Sequence, residues 1–325
     1  MADLKLSEDL DFETSIIEIE RKIQELDARM QAGEEGLEHE IKQLREKRDK
    51  ETKRVFAELT PWQRVQLSRH PQRPTTMDYV EHMLDSWTEL HGDRAFGDDP
   101  AMLTALGYLG KRRVMVIGHR KGKNLRERID CNFGCAHPEG YRKALLKMKM
   151  AEKFGLPIIT LINTPGAYPG IGAEERGQAM AIAVNIQEMS LLRVPIVCIV
   201  IGEGGSGGAL GIGVGDRVYV MQYSYYSVIS PEGCASILWK DAGRANEAAT
   251  ALKLTADDLL NLDLIDGRID EPLGGAHRNP AEALKIVRAQ IETALDDICA
   301  KPIDELLDER YARIRTFGKY TEVAV

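Results

Sequence analysis

Pro195–Asp216 reads PIVCIVIGEGGSGGALGIGVGD. Its first eight residues are an unbroken apolar run, the pattern of a strand buried on both faces. Glu203–Asp216 then holds seven glycines in fourteen residues. Each glycine costs about 1 kcal/mol against alanine in a helix interior. Composition like this is tolerated where something approaches the bare backbone: a phosphate, an acyl group on a serine, or an oxyanion.

Upstream, LPIITLINT (156–164) is a second buried strand, followed by the loop PGAYPGIG. The helical pattern EERGQAMAIAVNIQEMSLLRV (174–194) joins the two strands, which implies a right-handed crossover and parallel pairing. Both glycine-rich loops then fall at the carboxyl ends of neighbouring parallel strands, where such sheets bind ligands. The class is α/β. Further out, LTALGYLG and RRVMVIGHR read as a strand pair, and PEGYRKALLKMKMAEKFG as a helix opened by Pro138 and closed by Gly155. RVYVMQYSYYSVIS reads as one or two strands, LIDGRI as a short one, and a long helix starts at Pro280.

The N-terminal part differs. Ile16, Ile19, Ile23, Leu26 and Met30 recur at helical spacing, as do Leu37, Ile41, Leu44 and Val55 beyond Gly33 and Gly36. This predicts a pair of amphipathic helices that stabilises an assembly and carries no chemistry. The chain divides into an N-terminal helical hairpin region, 1–67, and a second domain, 68–325. Thr75 or Thr76 caps a helix whose apolar face includes Tyr79, Val80, Met83, Leu84 and Trp87. Arg69, His70 and Arg73 form a basic run that suits either a solvated loop or an anionic ligand.

Composition sets the outer bounds. A net charge of -8 and 29% charged residues describe an ordinary acidic globular chain, not a general nucleic-acid binder. No apolar run approaches the roughly 20 residues of a membrane span. The acidic start MADLKLSEDLDFE lacks a signal-peptide core. Five cysteines suit a reducing cytoplasm. Cys131 and Cys135 in CNFGC lack the second pair a zinc site needs and read as two ordinary thiols.

Three readings of the glycine stretch compete. Gly202, Gly204 and Gly207 satisfy G-x-G-x-x-G, but too few residues follow for a crossover helix, and Gln222 and Tyr223 stand where an acid is needed. Gly204, Ser206 and Gly208 satisfy G-x-S-x-G, with Asp266 and His277 following in triad order, so a serine hydrolase stays open. In the third, glycines at a strand-to-helix turn near Gly207 direct two backbone N–H groups, aided by a helix dipole, at one developing oxyanion. No nucleophile is then required.

The residues carry a resemblance as well. NTPGAYPGIGAEERGQ from Asn163, IGEGGSGGALGIGVGD from Ile201, YSVISPEGCASILWK from Tyr226 and EPLGGAHRNP from Glu271 resemble the alpha subunits of bacterial acetyl-CoA carboxylase carboxyltransferase. The likeness runs from RHPQRP at Arg69 onward and more loosely through the N-terminal helices. It implies a crotonase-like fold, a spiral of ββα units. It also implies an enzyme active only with a beta subunit, in an α2β2 complex. That complex moves the carboxyl group of carboxybiotin, borne on a biotin carboxyl carrier protein and charged by a biotin carboxylase, to acetyl-CoA. The product is malonyl-CoA for fatty-acid synthesis. The family's zinc belongs to the beta subunit. The alpha subunit's share is an oxyanion hole for the biotin ureido oxygen, which falls on Gly207 and Gly208. Gly204, Gly205 and Ser206 make up its neighbourhood, and Gly166–Ala167 either shapes the adjoining wall or is a tight turn. A valine at Gly208 is expected to lower turnover by about 10²-fold or more and to spare the fold and the beta-subunit contact. A carrier-binding scaffold without a site of its own is the non-enzymatic alternative.

Overall fold

The protein is described here by a computed structural model covering residues 10–318. The start of the acidic N-terminal stretch, residues 1–9, lies outside them. Helices α1 (Thr14–Gln31) and α2 (Glu38–Ala57) follow a short turn at Asp11–Glu13. They face each other through Ile19, Ile23, Leu26, Leu37 and Ile41, while Met30 lies at the exposed end of the stripe. Next come α3 (Pro61–Ser68) and α4 (Thr76–Met83), each opened by a capping box, Thr60 with Gln63 and Thr75 with Asp78. The second helix is shorter than its apolar spacing suggests. The chain turns extended at Leu84, and Trp87 sits on strand β1 (Ser86–Glu89), packed against the same core as Tyr79 and Val80.

Strands β2 (Met102–Leu109) and β3 (Arg112–His119) form the expected hairpin about Gly110. The chain continues through α5 (Leu125–Asp130), α6 (Pro138–Lys153), β4 (Ile158–Thr164), α7 (Ile171–Glu175), α8 (Gln178–Leu191) and β5 (Ile196–Gly205). Then follow α9 (Ser206–Leu210), β6 (Arg217–Met221), β7 (Tyr225–Ser227), α10 (Pro231–Trp239), α11 (Ala245–Ala251) and α12 (Ala256–Asn261). Strand β8 (Gly267–Ile269) and helices α13 (Pro280–Cys299) and α14 (Ile303–Arg315) complete the described chain. One single-helix expectation is divided: Gly177, at φ +81°, separates α7 from α8. The long helix from Pro280 is α13, and Pro302 stands between it and α14.

The sheet runs β1-β2-β3-β4-β5-β6-β8, antiparallel across β1–β3 and parallel from β3 onward. Alternate residues feed two cores. Ile158, Ile162, Ile196, Cys198 and Val200 meet α6 and α8 on one face. Ile159, Leu161, Val197, Ile199 and Ile201 meet α4 and α13 on the other. Burial on both faces is why these strands read as continuous apolar runs.

Strand β5 changes partner along its length. Val197–Val200 pair with β6, whereas Glu203–Gly205 pair with β7, and the β4–β5 register shifts between Ile162 and Thr164. The glycine stretch is thus three things: the end of a strand, the five-residue helix α9, and a turn into β6.

Candidate active site

The glycines serve two different ends. A Cβ on Gly205 would run into the Pro165 carbonyl, and one on Gly208 would lie 2.5 Å from the Ala167 nitrogen and 2.6 Å from the Gly166 carbonyl carbon. At Gly204 it would meet the Tyr226 ring at 2.9 Å and the Tyr225 carbonyl at 3.0 Å. Gly205 and Gly208 are glycine because backbone packs on backbone, and Gly204 because the Tyr226 ring and the Tyr225 carbonyl crowd it. Gly207 is different: a Cβ there meets only Ile182, at 3.7 Å or more. Its bare side faces a cavity of about 620 Å³ bounded by Gly166, Ala167, Tyr168, Met180, Ser206 and Gly208. The expectation that a valine at Gly208 spares the fold is overturned, because its Cβ has no room beside Gly166–Ala167.

Two loops make the cavity. Thr164 Oγ1 accepts the Gly166 N–H at 3.1 Å and donates to the Gly166 carbonyl at 2.7 Å, fixing the turn after β4. Gln178, first residue of α8, donates to the carbonyls of Ala136 and Tyr168 at 2.8 and 3.0 Å. The Tyr168 ring stacks on His137 at 4.1 Å. On the other side, Ser206, Gly207 and Gly208 contribute the first N–H groups of α9, which have no acceptor within their helix. Ser206 and Gly207 also edge a second, apolar hollow of about 600 Å³ walled by Leu210, Val214, Tyr226, Val228, Leu259 and Phe317.

The hydrolase constellation is not assembled. Ser206 does adopt the left-handed φ of +54° found at strand-to-helix elbows. Asp266, however, accepts the Val218 N–H at 2.7 Å and pairs with Arg313. His277 lines a separate cavity and faces Glu13 at 3.2 Å. Glu13, His70 and His277 bring donor atoms within 4.8 Å of one another. Protein groups already take those positions. Arg278 holds Glu13 Oε1 at 2.6 Å, and the Gln72 N–H points at His70 Nδ1 at 3.2 Å.

The basic run is neither a solvated loop nor a free anion site. Arg69 donates to Glu203 at 2.7 Å and to Glu232 at 2.5 Å. Arg73 is buried and forms a two-pronged pair with Glu271, both bonds 2.8 Å. Glu203 is also gripped by Lys121 and by the Tyr225 hydroxyl at 3.0 Å. Burial alone would push the Glu203 carboxyl upward, but Lys121 and Arg69 outweigh it and bring it down to about 2. These contacts span up to 198 residues of sequence, so no local pattern announces them. Cys131 and Cys135 flank a turn of left-handed residues, Asn132 to Gly134, and burial pushes both thiols up.

Beneath α9 lies a group that no motif marked. His119 is fully buried with neither ring nitrogen hydrogen-bonded. Burial drives its pKa down to about 3, so the ring is neutral. The Tyr141 hydroxyl donates to the Gly208 carbonyl at 3.2 Å. Asn185 Nδ2 donates to the carbonyls of Tyr141 and Gly211 at 3.0 and 2.9 Å.

Residues 9–318 match the family described as acetyl co-enzyme A carboxylase carboxyltransferase-like. The chain belongs to this family. An acetyl-coenzyme A carboxylase carboxyl transferase subunit alpha from Actinobacillus succinogenes is 56% identical over 95% of the chain and 98% of its own length. Two solved structures share the fold of these carboxyltransferases. Transcarboxylase 12S has a TM-score of 0.58 at 19% identity, over 71% of this chain and 42% of its own. The geranyl-CoA carboxylase beta subunit of P. aeruginosa has a TM-score of 0.55 at 16% identity, over 82% and 48%. The fold is crotonase-like. Among the described residues no helix is long and apolar enough to cross a membrane.

Proposed function

We propose that the chain forms the biotin-facing half of an acetyl-CoA carboxylase carboxyltransferase. In this reading the backbone N–H groups of Gly207 and Gly208 hold the ureido oxygen of a carrier-borne biotin. As a member of the family the chain is a carboxyltransferase subunit. One observation carries the assignment to Gly207 and Gly208: the missing side chain of Gly207 opens onto the cavity where the first N–H groups of α9 emerge.

When bound, biotin supplies the carboxyl group, and its ureido oxygen takes up negative charge as that group departs. The chain's own part is to offer N–H donors fixed before the charge develops, which avoids reorganisation at the moment of reaction. Tyr168, stacked on His137, walls the cavity opposite α9. Ser206 is the small residue between the glycines, and Gly204, Gly205, Gly166 and Ala167 set the spacing of the two loops.

A beta subunit completes the enzyme, in an α2β2 complex that carries the zinc on the beta side. Exposed apolar residues border the site and the hollow beside it and support a partner there: Met180, Leu210 and Val228 are 68%, 43% and 77% exposed. The wider assembly includes the biotin carboxyl carrier protein and biotin carboxylase, works in the cytoplasm, and turns acetyl-CoA into malonyl-CoA. The helical hairpin region, 1–67, serves assembly, and residues 68–325 carry the chemistry.

The test pairs the chain with its beta subunit and measures carboxyl transfer between biotin and acyl-CoA, with assembly followed by gel filtration. The chain alone is expected to be inactive, and the pair active. Gly207→Val, which has room in the fold, is expected to lower turnover about 10²-fold without loss of assembly, the scale of one oxyanion donor. Unchanged turnover in Gly207→Val would remove the glycine pair from the site.

A further inference from the structure

Helix α9 has five residues, two of them glycine. A segment so short and so glycine-rich cannot hold itself in one orientation. Its aim has to be set from outside, and the hydrogen bonds beneath it show how. The Gly208 carbonyl accepts the Tyr141 hydroxyl, and the Gly211 carbonyl accepts Asn185 Nδ2. Both of these bonds land on a carbonyl. With the carbonyl end pinned, the opposite end of α9, Ser206 to Gly208, is the end that borders the cavity.

We infer that Tyr141 and Asn185 are positioning residues for the anion-binding turn, acting through α9 rather than on the substrate. This rests on the proposed role of Gly207 and Gly208. Neither side chain borders the cavity. Both are buried, Tyr141 at 0% and Asn185 at 1% exposure. They come from different helices, α6 and α8, and Asn185 also donates to the Tyr141 carbonyl, so the two form one clamp. The amide orientation follows from its partners: two carbonyls accept from Nδ2, so the oxygen must point away. Asn185 Oδ1 is left buried without a partner among the described residues. Leaving such an atom unsatisfied is costly, and the double grip on α9 is what the arrangement gains. Gly211 completes the fit, since a Cβ there would lie 2.7 Å from the Tyr141 ring.

Misplacing reacting groups by about 1 Å costs on the order of 10²-fold in rate. Removing one of the two holding bonds is therefore expected to lower turnover by about 10-fold, with little change in KM for acyl-CoA. The experiment is a double-mutant cycle on the assembled alpha–beta complex, using Tyr141→Phe, Asn185→Ala and Gly207→Val, singly and paired with Gly207→Val. Turnover is measured well below each melting temperature, and the melting temperatures are recorded. If the clamp acts through the turn, Tyr141→Phe and Asn185→Ala each lose about 10-fold alone and less than about 2-fold on top of Gly207→Val. A general folding defect would multiply in full in both backgrounds, which would overturn the inference. So would normal turnover in both single variants, or losses that track the fraction of unfolded complex. If Gly207→Val alone leaves turnover intact, the failure belongs to the oxyanion reading and not to the clamp geometry.

Discussion

Glu203 shows how much of the site is held by groups that never meet a substrate. It is the last strand residue before the glycines, buried between Arg69 and Lys121, and its own N–H donates to Asn163 Oδ1 at 3.1 Å. The folded carboxyl sits at about 2, below its ordinary value of 4.5, so the ionised form stabilises the fold. That contribution is complete above about pH 4.5 and is lost as pH falls toward 2. Glu203→Gln leaves Arg69 and Lys121 without this counter-charge and is expected to destabilise by on the order of 3–5 kcal/mol at pH 7. Urea unfolding at pH 7 and pH 3 checks it. The gap between wild type and variant is expected to shrink in acid; an equal gap at both pH values would mean Glu203 is not ionised by its neighbours.

At the scale of elements, the break between α7 and α8 matters most for the cavity. Gly177 takes the left-handed conformation that starts α8 at Gln178, whose amide then ties Ala136 to Tyr168. Gly177→Ala is expected to lower stability by about 1–2 kcal/mol and to loosen the Tyr168 wall. Thermal unfolding measures the first effect and KM for the carrier-borne biotin the second. The sequence pattern runs unbroken through EERGQAMAIAV, so periodicity alone read one helix there. The strands were legible because burial on both faces leaves continuous apolar runs, as in Ile158–Thr164. The strand-to-helix turn at Gly207 and Gly208 was legible through its glycines. Their division of labour was not, since it depends on Gly166–Ala167 approaching from a loop some forty residues away. Tyr141, Asn185 and His119 gave no signal at all. A tyrosine inside an amphipathic helix looks like core until its hydroxyl is seen to reach the Gly208 carbonyl.

For the whole molecule, the decisive fastening is Arg310 on α14. It is 1% exposed and forms a two-pronged pair with Asp216 at 2.7 and 2.8 Å. It also donates to the carbonyls of Met189, Leu192 and Val194, joining the end of α8 to the starts of β5 and β6. Arg310→Met strands Asp216 and three carbonyls in the interior. A loss on the order of 3–5 kcal/mol is expected, visible as a lowered urea midpoint. A variant as stable as wild type would show that the apolar contacts of α14 suffice. The switch of β5 from β6 to β7 has a further bearing, on synthesis. Domains begin to fold as the chain emerges from the ribosome, N-terminal parts first. The β2–β3 hairpin and its helices can collapse early, yet the strand end that presents the glycines is bracketed by β4, β6 and β7. A nascent chain cut short before Tyr225 carries the whole glycine stretch and has no β7 to hold it. The proposed binding surface is therefore formed late, after the bulk of the sheet, and quality control would meet an intermediate that lacks it.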